Sequence, residues 1–289
     1  MRSHRLLTVD VFTTRPLAGN PVAVVLDADD VSSDDMQRIA AWTNLSETTF
    51  VLRPTAAGAD YRLRIFTPRG ELPFAGHPTV GSAHAVMEAG IVSTHVTRLT
   101  QECAAGLVAI RVEPDGGGRR LFVRVPRADV RRSAVDASAV ARALGAPPAA
   151  DAPSLVVDVG AVWLVAAFAG EAAVRMLRPD LPAVAELSRR LETAGITVYA
   201  LGSDGGLVVR SFAPLAGVPE DPVCGSGNAA VAAHVAATGR LARFGREWTA
   251  SQGREVGRDG AVRVRVADEG RAIEIGGHAV TVVDGTITI

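Results

Sequence analysis

The stretch Glu220-Asp221-Pro222-Val223-Cys224-Gly225-Ser226-Gly227-Asn228, running into the apolar segment Ala229–Ala237 and ending at Gly239, decides how this chain is read. A polar turn delivers small residues to the start of an almost wholly apolar helix. The first N–H groups of such a helix have no intrahelical partner. Together with the helix dipole they form a site for a carboxylate or phosphate. The same residues also make an ordinary helix cap, so this stretch alone leaves both readings open.

A second copy lies upstream. Glu71-Leu72-Pro73-Phe74-Ala75-Gly76 repeats Glu220 to Gly225 as E-x-P-x-x-G. Each copy is followed by an apolar run, Thr79–Ala89 or Ala229–Thr238, that closes on a glycine, Gly90 or Gly239. Each is preceded by R-x-F-x-P, at Arg64–Pro68 and Arg210–Pro214. Only the loop from Pro to Glu differs in length. One unit is therefore used twice. Two copies fit a pseudo-twofold pair of domains, since a solenoid needs at least three repeats.

The flanking sequence supports two strand-rich halves. Leu6–Phe12 and Val22–Leu26 read as strands joined by the turn Arg15–Pro21. Ser32 and Ser33 with Asp34 cap a helix running to about Trp42. Thr48–Leu52 and Tyr61–Phe66 are strand-like, and Pro78 suits a first helical position. Leu99–Val112 reads as one strand and Arg120–Val125 as another, about the turn Pro114–Gly118, where the domain boundary is expected. Val135–Leu144 and Leu181–Ala194 read as helices. Leu155–Val159, Val162–Phe168, Ile196–Leu201 and Leu207–Phe212 read as strands, and alternating strands fill the tail from Arg246. Each half thus has a sheet curled around one very apolar helix.

Composition bounds the function. The 289 residues carry a net charge of −1, which argues against a nucleic-acid or anionic-membrane surface. Aromatic residues are 4% of the chain, so no base-stacking platform is evident. Cys103 and Cys224 form no disulfide framework and suit a reducing cytosol. The N-terminal residues do not read as a signal peptide, and no apolar run is long enough to span a membrane. A cytoplasmic protein is expected.

Candidate chemistry gathers at a few residues. Glu47, in the loop Asn44–Thr49, is a carboxylate set to take and return a proton if a pocket encloses it, and otherwise a solvated or capping acid. His77 follows Gly76 at the mouth of the first apolar helix. Asp221 stands where the first copy has Leu72. Glu71 and Glu220 hold equivalent places and read as braces for the turns. Cys224 aligns with Ala75, so a pair of opposed thiols is missing one member. Gly225–Ala230 satisfies G-x-G-x-x-A but follows a long loop, unlike a dinucleotide site. No metal-ligand spacing, Walker loop or nucleophile elbow appears.

These motifs resemble the PhzF-like family of phenazine-biosynthesis isomerases. The matching residues are Gly19–Val24, Asn44–Phe50, Phe66–Thr79 and Glu220–Gly227, in one order across nearly the whole chain. The resemblance implies a diaminopimelate epimerase-like α+β fold. It has two pseudo-symmetric domains, each a barrel-like, mostly antiparallel sheet around a central helix, at residues 1–117 and 118–278. The last strand, 279–289, would return to the first domain, and the active site would lie in the cleft. A homodimer and a small carboxylate substrate are implied, with no metal, no cofactor, no nucleic acid and no membrane. The acid matching Glu47 would move the proton, assisted by His77 and Asp221. Gly76, Gly225, Ser226, Cys224 and Asn20 would bind substrate. Phenazine enzymes usually have Thr at Cys224 and Ala at Gly227. Cys224–Gly227 looks more like the second thiol motif of the epimerases, although Ala75 removes the first thiol. Three readings follow. The first is an isomerase of the trans-2,3-dihydro-3-hydroxyanthranilate type, expected in antibiotic or other secondary metabolism. The others are a racemase using Glu47 and Cys224, and a non-catalytic carboxylate binder.

Overall fold

The computed structural model describes residues 2–116 and 118–289, the side chain of Arg132 aside. The chain divides into two compact units, Met1–Arg124 with Gly276–Ile289, and Val125–Ile275. The boundary expected between residues 117 and 118 falls in a hairpin turn, and Gly117 lies outside the described residues.

The first unit runs β1 (Ser3–Val11), β2 (Asn20–Val25), α1 (Ser33–Thr43), β3 (Thr48–Leu52), β4 (Tyr61–Thr67), β5 (Gly70–Leu72), α2 (Gly76–Glu88), β6 (Arg98–Cys103), β7 (Gly106–Asp115) and β8 (Gly118–Arg124). The second runs β9 (Asp129–Val135), α3 (Ala137–Leu144), β10 (Ser154–Asp158), β11 (Val162–Ala167), α4 (Glu171–Arg175), α5 (Leu181–Leu191), β12 (Gly195–Leu201), β13 (Leu207–Ala213), β14 (Val218–Asp221), α6 (Gly225–Ala237), α7 (Leu241–Phe244), β15 (Glu247–Gln252), β16 (Gly260–Ala267) and β17 (Ala272–Gly277). The last strand, β18 (Ala279–Thr288), pairs antiparallel with β1 of the first unit.

Pairing repeats from unit to unit. β1 and β2 are antiparallel, β2 and β3 parallel, β3 and β4 antiparallel, and β4 and β6 parallel. β10 and β11, β11 and β12, β12 and β13, and β13 and β15 follow the same sequence of directions. β18 flanks β1 as β9 flanks β10. The registers fix residue-by-residue equivalences. Thr48 faces Phe66 where Ile196 faces Phe212, and Ala23 faces Thr48 where Leu164 faces Ile196.

Each sheet wraps its motif helix. α2 is buried from His77 through Met87, and α6 is buried over almost its whole length. A helix apolar all round has no outer face and belongs inside. Small residues let strands approach it: a Cβ on Gly81 would overlap the side chains of Val22 and Val11. The surface helix α1 is the opposite case. Ser32 caps it through the Asp35 N–H (3.1 Å), and it buries Met36, Ile39 and Ala40 against β2, β3 and β4.

Two expectations are corrected. Leu99–Val112 is not one strand. It is the hairpin β6–β7, turned at Gly106, whose φ of +103° side-chain-bearing residues rarely adopt. Pro78 is the third helical residue, because Gly76 and His77 already take helical backbone. β5, β9, α4, β14 and α7 had no reading; β5, β14, α4 and α7 are too short for periodicity to mark.

Candidate active site

In the first unit, the loop after α1 brings Glu47 to the start of β3, and the turn after β5 brings His77 to the second position of α2. His77 Nε2 lies 3.3 Å from Glu47 Oε2. The pair is not aligned as a hydrogen bond, and both atoms are buried without a partner. The imidazole side chain is 8% exposed and the carboxylate 16%. Orphaned buried polar atoms are rare in a folded protein, and each calls for an explanation. Ser46 Oγ, next in the chain to Glu47, is buried and unpartnered too. The cap residue of α2 is Ala75, which offers no side-chain acceptor, so the N–H groups of Gly76 and His77 have no capping group. Asn20, the first residue of β2, is buried opposite Val11.

In the second unit, α6 opens on Cys224. Its Sγ accepts from the Gly227 N–H (3.2 Å) and lies 3.5 Å from Ser226 Oγ. Burial, with Asp221 nearby, pushes this thiol well above its ordinary pKa, so it is protonated. Asp221 Oδ1 accepts from the Val223 N–H (3.1 Å). Gln252, fully buried on β15, binds the turn together: its Oε1 accepts from the Cys224 N–H (3.1 Å) and Asn228 Nδ2 (2.9 Å), and its Nε2 donates to the Asp221 carbonyl (3.1 Å). Asn228 Oδ1 is left buried and unpartnered. Ser226 Oγ accepts from the indole N–H of Trp163 on β11 (3.1 Å).

Glu71 and Glu220 are the braces expected of them. Arg64 forks onto Glu71 (2.8 and 2.7 Å), and Arg210 forks onto Glu220 (2.8 Å twice). In each copy the guanidinium also lies 5.0 Å from the ring centre of the repeat's Phe, Phe66 or Phe212. The Arg64 fork holds the Glu71 carboxyl below its usual pKa.

Of the expected site residues, the first unit brings together Glu47, His77 and Gly76. The second brings together Asp221, Cys224, Gly225 and Ser226. Sequence reading missed Trp163, Gln252 and Asn228. Trp163 corresponds by register to Val22, and Gln252 to Cys103, so the repeat gave no identity to follow. Among the described residues, no group of three or more metal-ligating side chains occurs, and no helix is long and apolar enough to cross a membrane.

Paired sheets each closed on a buried helix define a diaminopimelate epimerase-like fold, and a carboxylate and an imidazole meet at one of its helix mouths. Residues 9–285 match the family model for phenazine biosynthesis-like protein, and the chain belongs to that family. It is 35% identical to the trans-2,3-dihydro-3-hydroxyanthranilate isomerase of Pseudomonas chlororaphis, covering 99% of this chain and 100% of that protein. It is 39% identical to the Schizosaccharomyces pombe protein named antisense-enhancing sequence 1, covering 99% of each. The crystal structure of a phenazine biosynthesis protein of the PhzF family from Bacillus anthracis superposes with a TM-score of 0.86 at 27% identity, over 100% of both chains. Membership makes isomerase the activity class of this chain.

Proposed function

We propose that this chain moves a proton along a conjugated small carboxylate, in the manner of trans-2,3-dihydro-3-hydroxyanthranilate isomerisation. The observation that carries the reading is the Glu47–His77 pair: a carboxylate and an imidazole 3.3 Å apart, each with a buried atom that no protein group satisfies. Glu47 breaks a C–H bond and takes the proton. The electron pair shifts along the conjugated system, and Glu47 returns the same proton to its far end, so no oxidant or reductant is needed. Where the first carbon bears a hydroxyl, the product is an enol that tautomerises to a ketone. His77 stands beside the acid to orient it and to carry its hydrogen bond. The uncapped first N–H groups of α2, beside His77, take the carboxylate.

The racemase reading asks Cys224 to serve as a base in one direction. Its thiol is held neutral and its sulfur already caps α6, which favours the isomerase. Incubation in D₂O with trans-2,3-dihydro-3-hydroxyanthranilate and related unsaturated cyclic acids, followed by NMR, tests the proposal. Deuterium entering with a shifted double bond, lost in Glu47→Gln, is the expected result. Exchange at Cα with loss of optical activity instead supports the racemase. Carboxylate binding that Glu47→Gln leaves intact, with no exchange in the wild type, leaves a binding protein.

A further inference from the structure

Arg62 shares one face of β4 with Arg64, because alternate strand residues point the same way. Arg62 and Glu102 are register partners across the parallel strands β4 and β6. Both side chains are long enough to meet, yet no ion pair joins them. Glu102 is taken by the loop before β4: it accepts from the Thr55 N–H (2.6 Å), the Ala56 N–H (3.0 Å) and the Thr55 hydroxyl. Arg62 is left without a hydrogen bond or an ion pair among the described residues, and its Nε is buried with no acceptor. Arg62 and Glu102 line an open cavity of about 340 Å³, together with Arg64, Glu71, Cys103 and Ala104. That is a size that holds a small molecule.

The second unit shows the same place closed. The registers put Val208 and Ser251 where the first unit has Arg62 and Glu102. Segment 168–180, between β11 and α5, includes α4 and covers this face. It sets the carbonyls of Val174 and Leu177 on Arg210 (3.1 Å each), and the Arg175 guanidinium on Glu255 (3.0 Å) and Ser251 Oγ (3.4 Å). The first unit joins β2 to α1 through residues 26–32, with no helix between them, and Arg64 donates to Ser33 Oγ (2.9 Å). Val208 is 2% exposed, so packing at this place does not call for an arginine. Where the second copy brings a cation to Ser251 from its own chain, the first leaves an arginine and an acid open.

A buried guanidinium nitrogen without an acceptor is costly, and a carboxylate meets an arginine as a fork. A bare anion here would lie against Glu71 and Glu102. An ammonium group on the same ligand reverses that repulsion, using carboxylate lone pairs that Arg64, Thr55 and Ala56 leave free. The cavity walls carry two arginines and two acids, a balance that suits a zwitterion. We infer that this cavity binds a free amino acid, its carboxylate on Arg62 and its ammonium on Glu102 and Glu71. The site belongs wholly to the first unit and uses none of the groups given a part in proton transfer.

Titration calorimetry on the full chain tests this with L-alanine, L-leucine and L-phenylalanine. Each is run beside the matched acid that lacks the ammonium group: propionate, 4-methylpentanoate and 3-phenylpropionate. Wild type should bind at least one of the amino acids at millimolar concentration. Its matched acid should bind about tenfold more weakly, the scale of one hydrogen bond to a charged group. Arg62→Val installs the residue type that the second copy carries at this place; it should weaken amino acid binding by about tenfold or more, with a urea midpoint near that of wild type. Glu102→Gln keeps an acceptor for the Thr55 loop and removes the charge. It should bring the amino acid down toward its matched acid and leave the acid no weaker. A wild type that binds none of the amino acids, matched acids that bind as well as they do, or an Arg62→Val variant that binds as wild type does would overturn the inference. If Arg62→Val does not fold, Glu102→Gln decides: an amino acid and its matched acid weakened equally, or both unchanged, would overturn it.

Discussion

Glu47 and Gly195 occupy the same place in two copies of one architecture, as do His77 and Ser226, Ala75 and Cys224, and Leu72 and Asp221. Around them the frame is unchanged: an Arg–Glu fork, an Arg–Phe stack, a parallel strand pair and a buried small-residue helix recur in both. What differs is confined to the helix mouth. The first copy sets an acid against an imidazole. The second is built of hydrogen-bond donors and a thiol kept neutral. A duplicated fold thus supplies two mouths whose equivalence constrains the backbone and not the side chains, and of these two positions only that of the first copy has space for a carboxylate.

The largest test of that asymmetry is at the acid. Glu47→Gln keeps the shape and removes the base; proton exchange should fall by about 10²- to 10⁴-fold, the usual range for a positioned general acid–base. No substitution at the equivalent Gly195 supplies a replacement, because its Cβ has no room. Deuterium incorporation followed by NMR measures both. If Glu47→Gln exchanges at the wild-type rate, the two mouths are not divided as described.

The frame itself provides the next test. The two Arg–Glu forks look alike but differ in burial. The side chains of Arg210 and Glu220 are 5% and 12% exposed, and Arg210 also donates to the carbonyls of Val174 and Leu177 (3.1 Å each). Those of Arg64 and Glu71 are 26% and 37% exposed. Removing one member of a buried pair strands the other charge, so Arg210→Met should cost about 3–5 kcal/mol. Arg64→Met, at a solvent-screened pair, should cost about 1 kcal/mol or less. Urea denaturation of the two variants gives the difference directly. Equal costs would mean that the second fork is no more embedded than the first.

The frame was legible in the sequence because its parts are local. E-x-P-x-x-G, the preceding R-x-F-x-P and an apolar run without a polar face are each contiguous, and they place a buried helix twice. Glu47 and His77 were legible for the same reason, each lying within a short motif. Trp163 and Gln252 were not. They reach the second mouth from strands remote in sequence, and their counterparts, Val22 and Cys103, share no side-chain chemistry with them. The β6–β7 turn was missed because Cys103-Ala104-Ala105-Gly106 holds no Asn-Gly, Asp-Gly or Pro, and a single glycine is its one turn signal.

A third contrast lies deeper, midway along the helices. His234 on α6 accepts at Nδ1 from the Tyr199 hydroxyl (3.0 Å) and donates from Nε2 to the Pro153 carbonyl (2.8 Å). Their counterparts are Ala85 and Val51, which are apolar. Burial lowers the His234 pKa from 6.5 to about 4. The unfolded chain therefore binds the proton first. The contribution of this group is complete above pH 6.5 and is lost as the pH falls toward 4, by up to about 3 kcal/mol. Chemical denaturation at pH 7.5 and pH 4.5 should show this slope in the wild type and a shallower one in His234→Gln. Identical slopes would place the titration elsewhere.

The smallest effect distinguishes the caps. In the second copy Cys224 Sγ accepts from the N–H of the third helical residue, Gly227. Gly227 is required there, since a Cβ would crowd Ser211 Oγ and Thr197 Oγ1. In the first copy the third helical residue is Pro78, which has no N–H, and the cap position holds Ala75, which has no acceptor. The two changes match: one turn has both the acceptor and the third-residue N–H of a capping bond, and the other has neither of these. Cys224→Ala should thus cost α6 about 1 kcal/mol from the cap, the usual worth of such a bond. Ala75→Ser places an acceptor opposite a proline and should gain no more than about 0.3 kcal/mol, far below the typical value for installing a serine cap. Thermal or urea unfolding of the two variants decides it. A gain of a full kcal/mol from Ala75→Ser would show that a helix N–H other than the third is free to take the bond, and the first mouth would then have one donor fewer to offer a ligand.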